Sequence, residues 1–308
     1  MRRLKSTFAN RLARRSLRQI GMAVAVTAGM TVLAGLPGPA DAEEAKAQRV
    51  LAIGGAVTEI VYQLGEQDRL VGRDSTSNFP PEANELPNVG YIRALSPEGV
   101  LSVKPDLILA RENNGPHEAV EVLKSTGVRW VDVPDEFTLE GIEENISIVA
   151  AELGVPEKGE ALKQKVAADI AKAQERLASI ERKHKVMFVL ALTDDKVNAA
   201  GNNTAANNII ELAGGENVLS EFSGYKQISN EAVINAAPEV IVMMNGRSES
   251  ADHNSVNSLL EAHPALATTP AVKNGKIIRM DGLLLLGFGP RTGEAISELA
   301  QAFYGHEH

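Results

Sequence analysis

Two stretches of this 308-residue sequence share one pattern, and that pattern decides the fold. The first reads SPEGVLSVKPDLILA, from Ser96 to Ala110, and the second reads SNEAVINAAPEVIVM, from Ser229 to Met243. They are offset by 133 residues, and five of the fifteen positions are identical. Each begins with a serine and ends in an apolar run typical of a buried strand, and the first serine, Ser96, is suited to cap a helix. This internal repeat is too widely spaced for a solenoid, and it predicts two similar α/β lobes.

The sequence around each copy of the repeat alternates between apolar strand runs and helical periodicity. This alternation is typical of βαβ units and predicts parallel sheets. In the first half we expect strands over 49–53, 70–72, 107–110 and 128–133, with helices over 59–64, 96–103 and 117–125. The first of these helices is expected to be capped by Thr58. In the second half we expect strands over 186–192, 240–244 and 276–280, with helices over 204–212, 231–236 and 293–303.

A helical region separates the two halves. Apolar residues recur at helical spacing over 139–153 and again over 157–183, where no proline interrupts the pattern. A coiled-coil oligomer would also suit the second stretch, but its position between two α/β halves favours a connector packed against both. We therefore divide the chain into an N-terminal α/β lobe (43–154), a connector helix (155–184) and a C-terminal α/β lobe (185–308). A cleft between two lobes is a preferred place for a ligand.

The first 42 residues have the organisation of an export signal. Seven basic residues are followed by an apolar run over 20–36 and then by Ala40-Asp41-Ala42, a typical cleavage site. A membrane anchor is the alternative, but the run is short and rich in small residues. Arg14-Arg15 resembles a twin-arginine signal, although an arginine pair is common in any basic leader, so we expect the general secretory route. The mature protein is expected to be soluble.

Composition excludes several classes of function. The chain has no cysteine, which removes disulfides, thiolate metal sites, a cysteine nucleophile and a lipid-modified cysteine. The formal charge is −9 for the whole sequence and −15 for residues 43–308, which argues against nucleic-acid binding. Neither a G-x-S-x-G nucleophile turn nor a phosphate-binding G-x-x-x-x-G-K-[ST] loop is present. We therefore do not expect an enzyme.

Two motifs connect the sequence to a known class of proteins. They are VGYIRALSPEGVL, over 89–101, and LGFGPR, over 286–291. Together with the two-lobe outline, they resemble the periplasmic substrate-binding proteins of ABC importers whose lobes are joined by one long helix, a class that carries vitamin B12, iron–siderophores and haem. Within that class both motifs look like the haem-binding branch. The resemblance covers nearly all of residues 48 to 305.

The resemblance implies a ligand site centred on Tyr91. In the haem-binding branch the tyrosine of this motif is the axial ligand of ferric haem, and a phenolate is a hard oxygen donor that suits Fe(III). Arg93 is then placed to meet the phenolate or a haem propionate, and Arg247, after the strand over 240–244, corresponds to a second-lobe arginine. From the residues alone, Tyr91 could equally be a packed loop tyrosine and Arg247 a solvated surface residue.

Glu98 and Glu231 occupy the same position in the two copies of the repeat. A carboxylate in the first turn of a helix is stabilised by the helix dipole, which is reason enough for a glutamate there. The resemblance adds a docking role, because each lobe of these proteins presents such a glutamate to arginines of the membrane permease. Both explanations can hold together.

The sequence thus predicts a monomeric periplasmic protein that binds haem between its lobes and delivers it to an inner-membrane ABC permease and its ATPase. An outer-membrane receptor system would supply the haem. None of the six histidines can be placed as a further ligand, so one or two haems remain possible. The alternatives are a ferric siderophore or corrinoid carrier of the same fold, or an exported α/β hydrolase.

Overall fold

The computed structural model describes residues 47–193, 196–245 and 260–305, all of which belong to one compact unit. The expected export signal and Arg247 lie outside these residues. None of the helices in the described ranges has the length and apolar character that a membrane span requires.

The first lobe is built on a four-stranded parallel sheet. Its strands are ordered β2-β1-β3-β4, as the alternation of strands and helices predicts. The central strands β1 and β3 are buried throughout, which explains their unbroken apolar sequences. The strands are β1 (Val50–Ile53), β2 (Leu70–Arg73), β3 (Leu107–Arg111) and β4 (Arg129–Val133). The helices between them are α1 (Gly55–Gln63), α2 (Pro97–Ser102) and α3 (His117–Ser125), with short 3₁₀ turns at Gln67–Arg69 and Pro81–Glu85.

Helix α1 begins four residues before the predicted start, and the expected cap at Thr58 is wrong. Gly54, at φ +108°, precedes the helix without a side-chain cap, and its N–H donates to Asp74 Oδ1 at 2.9 Å. Thr58 lies inside the helix, and its hydroxyl donates to Ser77 Oγ at 2.8 Å. Glycine is required at position 54 because a Cβ there would come within 2.9 Å of Arg111 Cβ.

Two helices follow the first sheet, α4 (Leu139–Glu152) and α5 (Pro156–Glu175). The sequence predicts that the second continues to residue 183, but it ends at Glu175. Beyond it the chain tightens into i→i−3 hydrogen bonds, from Leu177 N–H to Gln174 O at 2.9 Å and from Ile180 N–H to Leu177 O at 3.0 Å. These turns keep Leu177 and Ile180 packed on the core. The connector is therefore a shorter helix with a tight extension, and no glycine or proline marks the change.

The second lobe has a six-stranded mixed sheet, so the expectation of a parallel sheet holds there only in part. Strands β5, β7, β9 and β10 are parallel, whereas β6 and β8 run antiparallel at one edge, in the order β10-β9-β5-β6-β8 with β7 beside β5. The strands are β5 (Lys185–Thr193), β6 (Lys196–Ala200), β7 (Glu216–Asn217), β8 (Tyr225–Ile228), β9 (Val240–Met244) and β10 (Ile277–Met280). The helices are α6 (Ala205–Leu212), α7 (Asn230–Ala236), α8 (Pro270–Lys273), α9 (Gly282–Leu286) and α10 (Thr292–Tyr304), with a 3₁₀ turn at Leu266–Thr268.

The internal repeat is confirmed as a repeated structure. One copy forms α2 and β3, and the other forms α7 and β9. Ser96 Oγ accepts from the Gly99 N–H at 3.0 Å, and Ser229 Oγ accepts from the Ala232 N–H at 3.2 Å. Each helix ends through a left-handed residue followed by proline: Lys104 at φ +50° and Ala237 at φ +43°. The repeat therefore encodes the same cap and the same turn in both lobes.

Helix α5 packs against both halves. Its Gly159 lies against Ala150 of α4, where a Cβ would come within 2.5 Å of the alanine Cβ. Further along, Gly293 of α10 lies against Asp169 of α5, where a Cβ would meet the backbone carbon at 2.8 Å. Buried residues of both sheets, among them Val50 and Val186, belong to one hydrophobic cluster with α5. The lobes therefore share a core and are tied together at their base.

Candidate functional site

Arg111 ties the end of the first sheet to the second lobe. It is the last residue of β3 and is 8% exposed. Its Nε lies 2.5 Å from Asp135 Oδ1, and its guanidinium lies 5.8 Å from the centre of the Phe137 ring. Its Nη1 donates to the backbone oxygen of Gly287. An arginine at the carboxyl end of a parallel strand therefore reaches across the lobe boundary.

The LGFGPR segment over 286–291 lies at the same boundary. Phe288 is buried and packs edge-on against Phe137, with ring centres 5.4 Å apart. Gly289 lies so close to α1 that an added Cβ would be 3.3 Å from Ala56 Cβ. This segment therefore joins the lobes, because Phe288 and Gly289 contact residues of the first lobe.

A buried ion pair completes the joint. Arg291 Nε lies 3.1 Å from Glu59 Oε1, and its Nη2 donates to Oε2 at 3.3 Å. The Glu59 side chain is 3% exposed, and the Arg291 guanidinium stacks on the Phe79 ring at 3.4 Å from its centre. Burial raises the pKa of the Glu59 carboxyl, and the charge of Arg291 opposes that rise. We call these contacts, with those of Arg111 and Phe288, the lobe joint.

Tyr91 lies in the loop that follows β2. Before the turn, Val89 lies beside the end of β2, and its N–H donates to Arg73 O at 2.9 Å. The chain then turns at Gly90, whose φ is +111°. Ala94 N–H donates to Tyr91 O at 2.7 Å and closes a tight turn. Buried Val89 and Leu95 anchor the two ends of this turn. Tyr91 itself is 38% exposed, so its ring is accessible beyond the carboxyl edge of the first sheet.

Arg93 is exposed on the same turn as Tyr91. The structure therefore keeps these two residues together beyond the carboxyl edge of the first sheet. Arg247 follows β9 but lies outside the described residues. The last residue described before it is Asn245, whose N–H donates to Met280 O at 2.8 Å, so β9 and β10 leave the sheet side by side.

Tyr225, the first residue of β8, was not predicted from the sequence as a site residue. It is 40% exposed, and its ring lies 6.3 Å from that of buried Phe188. Its hydroxyl hydrogen-bonds with the Ala206 N–H and the Thr204 side chain at the start of α6. A Gly-Tyr pair stands ahead of both copies of the repeat, and that signal could have identified it.

The surroundings of Tyr225 place it opposite the first lobe. Burial raises the pKa of its hydroxyl, while the charge of Arg93 lowers it and that of Asp135 raises it. Helix α6 also meets the first lobe directly, because Asn208 Nδ2 donates to Phe137 O at 3.0 Å. We use "the cleft" for the surface that carries Tyr91, Arg93 and Tyr225 above the lobe joint.

Of the three histidines in the described residues, His117 is exposed at the start of α3, and His184 and His263 have structural surroundings. His184 stacks on Tyr304, with ring centres 5.1 Å apart, and its Nδ1 lies 3.3 Å from Glu239 Oε2. His263 is buried, and its Nδ1 accepts from the Ala265 N–H at 3.3 Å. Within 47–193, 196–245 and 260–305, no group of three or more histidine or acidic side chains could hold a metal ion.

Glu98 and Glu231 keep the equivalence that the sequence indicates. Each lies in the first turn of its helix, α2 or α7, and each is exposed. The structure therefore presents one matching carboxylate on each lobe, and both are accessible to a partner protein.

The first lobe also contains a cavity of about 610 Å³ away from the cleft. It lies at the carboxyl end of α1, and Asp68, Glu82 and Glu85 are among its lining residues. Burial, with the charges of Glu82 and Glu85, raises the pKa of Tyr62 on its wall. This acidic cavity contains none of the predicted ligand residues and does not suit an anionic ligand.

Comparisons with known proteins agree with this architecture. A model of the periplasmic binding protein family matches residues 50–283. The solved periplasmic haem-binding protein RhuT from Roseiflexus sp. RS-1, in its apo form, is 38% identical, with a TM-score of 0.79 over 84% of this chain and 98% of that one. The haem-binding protein BhuT in complex with two haems is 35% identical, with a TM-score of 0.77 over 83% and 98%. The vitamin B12-binding protein of Vibrio parahaemolyticus is 28% identical over 83% of this chain and 89% of its own length.

Proposed function

Because the chain belongs to the periplasmic binding protein family, we propose that it binds haem in the cleft and delivers it to an ABC permease and its ATPase. The observation that carries this proposal is the exposed Tyr91, held with Arg93 on a turn beyond the carboxyl edge of the first sheet. The similarity to RhuT and BhuT, whose names identify them as haem-binding, supports the choice of ligand.

Tyr91 is proposed as the axial ligand of ferric haem. A phenolate oxygen is a hard anionic donor and is an attested haem ligand. Binding the iron displaces the phenolic proton. The Arg93 cation on the same turn favours the phenolate or pairs with a propionate. The accessible ring allows the ligand to reach the oxygen without opening the lobe joint.

The propionates are proposed to contact positioned arginines. The formal charge of −15 over residues 43–308 repels a dicarboxylate at long range, so attraction must come from particular cations. Arg93 supplies one such cation in the first lobe, and we propose Arg247 for the second. The guanidinium of an arginine can hold a carboxylate through two parallel hydrogen bonds.

Glu98 and Glu231 are proposed as the permease contacts. They are exposed, and they occupy the same position on each lobe. Two matching carboxylates would seat the protein in one register on a pair of basic patches through charge complementarity. Neither residue belongs to the cleft, so docking and ligand binding use different surfaces.

The remaining proposals concern the path of the protein and its ligand. Residues 1–42 are proposed as a cleaved export signal that uses the general secretory route, and the mature protein as a soluble periplasmic monomer. The lobes are proposed to span 43–154 and 185–308 around a connector region over 155–184. An outer-membrane receptor system would supply the haem. We propose no catalytic activity.

The second candidate ligand is a corrinoid, because the vitamin B12-binding protein of Vibrio parahaemolyticus is also similar. The test is to titrate the mature protein with haemin, cyanocobalamin and a ferric siderophore in parallel. We expect saturable haemin binding with a ferric tyrosinate-type spectrum and no comparable uptake of the others. Binding of cyanocobalamin or the siderophore without haemin binding would contradict the proposal.

A further inference from the structure

The internal repeat extends further upstream than its aligned fifteen positions. The first copy is preceded by Gly90-Tyr91, five residues before Ser96, and the second by Gly224-Tyr225, four residues before Ser229. Both glycines have positive φ, +111° and +79°. Each lobe therefore leads into its cap serine through a left-handed glycine followed by a tyrosine.

The two tyrosines are also comparable in exposure. Tyr91 is 38% exposed and Tyr225 is 40% exposed. Tyr62 is partly buried at the far end of α1, and Tyr304 is 6% exposed beside His184. Of the four tyrosines, the accessible pair is thus the pair that the repeat relates.

The surroundings of the two tyrosines differ in one decisive respect. Tyr91 lies on a turn, whereas Tyr225 begins a strand whose neighbours fix its ring. The Tyr225 ring lies 6.3 Å from that of Phe188, with the ring planes at 68°, and its hydroxyl interacts with the Ala206 N–H and the Thr204 side chain. The ring therefore lies between Phe188 and the start of α6 while two fifths of the residue stays exposed.

We propose that Tyr225 is the second-lobe counterpart of Tyr91, and that it binds the tetrapyrrole through the face of its ring, without coordinating the iron. This inference rests on the proposed function and assigns the second-lobe wall of the same cleft. A fixed aromatic ring offers a flat apolar surface to a flat macrocycle, and it loses little conformational entropy on binding.

A coordinating role for Tyr225 is disfavoured by its burial. Its hydroxyl interacts with the Ala206 N–H and the Thr204 side chain. Burial raises the pKa of the hydroxyl, so the residue remains a neutral phenol in neutral solution. Ferric iron prefers the anionic oxygen, which leaves coordination to Tyr91 and contact with the porphyrin face to Tyr225.

The two roles respond differently when the iron is removed. Coordination needs the metal, whereas stacking on the macrocycle does not. We would therefore measure dissociation constants for haemin and for metal-free protoporphyrin IX with wild type, Tyr225→Ala, Tyr225→Phe and Tyr91→Ala. Tyr62→Ala is the matched control, because it removes a tyrosine at the other end of α1. Thermal melting of each variant would show that it is folded.

Tyr225→Ala is expected to weaken haemin and protoporphyrin IX by a similar factor, about tenfold, and to leave the tyrosinate-type spectrum of bound haemin unchanged. Tyr225→Phe keeps the ring and should stay within about threefold of wild type. Tyr91→Ala should weaken haemin far more than protoporphyrin IX. The control should bind both ligands as wild type does.

The inference is overturned if a folded Tyr225→Ala binds both porphyrins like wild type, or if Tyr225→Phe abolishes the tyrosinate-type spectrum. Either result leaves the proposed function standing, provided that wild type binds haemin. Failure of wild type to bind haemin would instead refute the proposed function itself.

Discussion

The segments from Gly90 to Arg111 and from Gly224 to Met244 have the same plan in the two lobes. Each has a left-handed glycine, a tyrosine, a serine-capped helix with an exposed glutamate, a left-handed turn before proline, and a buried parallel strand. They differ at the tyrosine, which lies on a turn beside Arg93 in the first lobe and on a strand, fixed at its hydroxyl, in the second.

With the proposed roles, this difference would separate two functions of the repeat. The features that both lobes share, the caps and the glutamates, suit a partner that meets both lobes in the same way. The feature that differs suits a ligand whose two sides need different chemistry, a coordinating oxygen on one side and a flat ring on the other. With the proposed roles, a duplicated scaffold would support symmetric docking around an asymmetric site.

The largest effect is expected at the shared glutamates. Glu98→Ala and Glu231→Ala should each reduce haem transport into proteoliposomes that hold the cognate permease and ATPase, and together they should abolish it. Haemin affinity should not change, because neither residue lies in the cleft. Glu118→Ala is the matched control, since Glu118 is also exposed in the first turn of a helix, α3, outside the repeat. Normal transport by the double variant would refute the docking role.

The lobe joint should dominate stability. Arg291→Ala leaves the buried carboxylate of Glu59 without its partner and should cost about 3 kcal/mol of unfolding free energy near pH 7.5. Lys158→Ala breaks an ion pair with Glu66 in which the lysine is half-exposed, and it should cost less than about 1 kcal/mol. Chemical denaturation of both variants tests this contrast, and equal losses would contradict it.

The cost of Arg291→Ala should also depend on pH. Burial raises the pKa of Glu59, so the folded protein binds more protons at this site than the unfolded chain does. Stability therefore falls as pH rises from the ordinary carboxyl value of 4.5 through the raised pKa. The loss in Arg291→Ala should be smaller at pH 5 than at pH 7.5. A loss that does not vary with pH would argue against a charged Glu59 in the joint.

Arg93→Gln would make the first lobe more like the second, where Gln227 stands two residues after the tyrosine. We expect about fivefold weaker haemin binding, because a propionate or phenolate contact is lost, and a smaller difference at high salt. Lys226→Gln removes a comparable positive charge beside Tyr225 and should have less effect. Isothermal titration of both variants at two salt concentrations distinguishes a positioned contact of Arg93 from a general effect of charge. Equal effects would indicate bulk charge instead of a positioned contact.

The smallest effect is expected at the two cap serines. Ser96→Ala and Ser229→Ala should each lower the unfolding free energy by about 1 kcal/mol, because each leaves a first-turn N–H without its partner. Ser102→Ala is the control, since its hydroxyl donates to a carbonyl within α2 and caps no helix start. Losses in the two cap variants that differ by more than about 1 kcal/mol would contradict their equivalence.

The sequence predicts those parts of the fold in which local pattern and burial agree. Strands β1 and β3 are wholly buried, so their apolar sequences identified them, and the predicted cap at Ser96 was confirmed. Strands β6 to β8 lack a clear apolar run: β6 reads KVNAA, β7 has only two residues, and the YKQI sequence of β8 lies largely exposed at a sheet edge. The end of α5 was missed because Leu177 and Ile180 keep a helical spacing while the backbone tightens.

The site was predictable on one side of the cleft only. Tyr91 stands in a long motif, and the structure shows it accessible. Tyr225 stands in no such motif, and its one sequence signal is the Gly-Tyr pair that precedes both copies of the repeat. Its surroundings, which are Phe188, α6 and the first lobe, come together only in the folded chain. The LGFGPR segment is the opposite case. Its sequence resembles the haem-binding branch, whereas the contacts described for it form the lobe joint.

The central claim is that Tyr91 coordinates ferric haem, and Tyr91→Phe tests it most directly. This variant keeps the ring and removes only the oxygen. Haemin titration followed by absorption spectroscopy should show that the tyrosinate-type spectrum of wild type is lost in Tyr91→Phe and that affinity falls by about 100-fold, as expected for a lost iron ligand. A folded Tyr91→Phe protein that binds haemin with the wild-type spectrum and affinity would contradict the account.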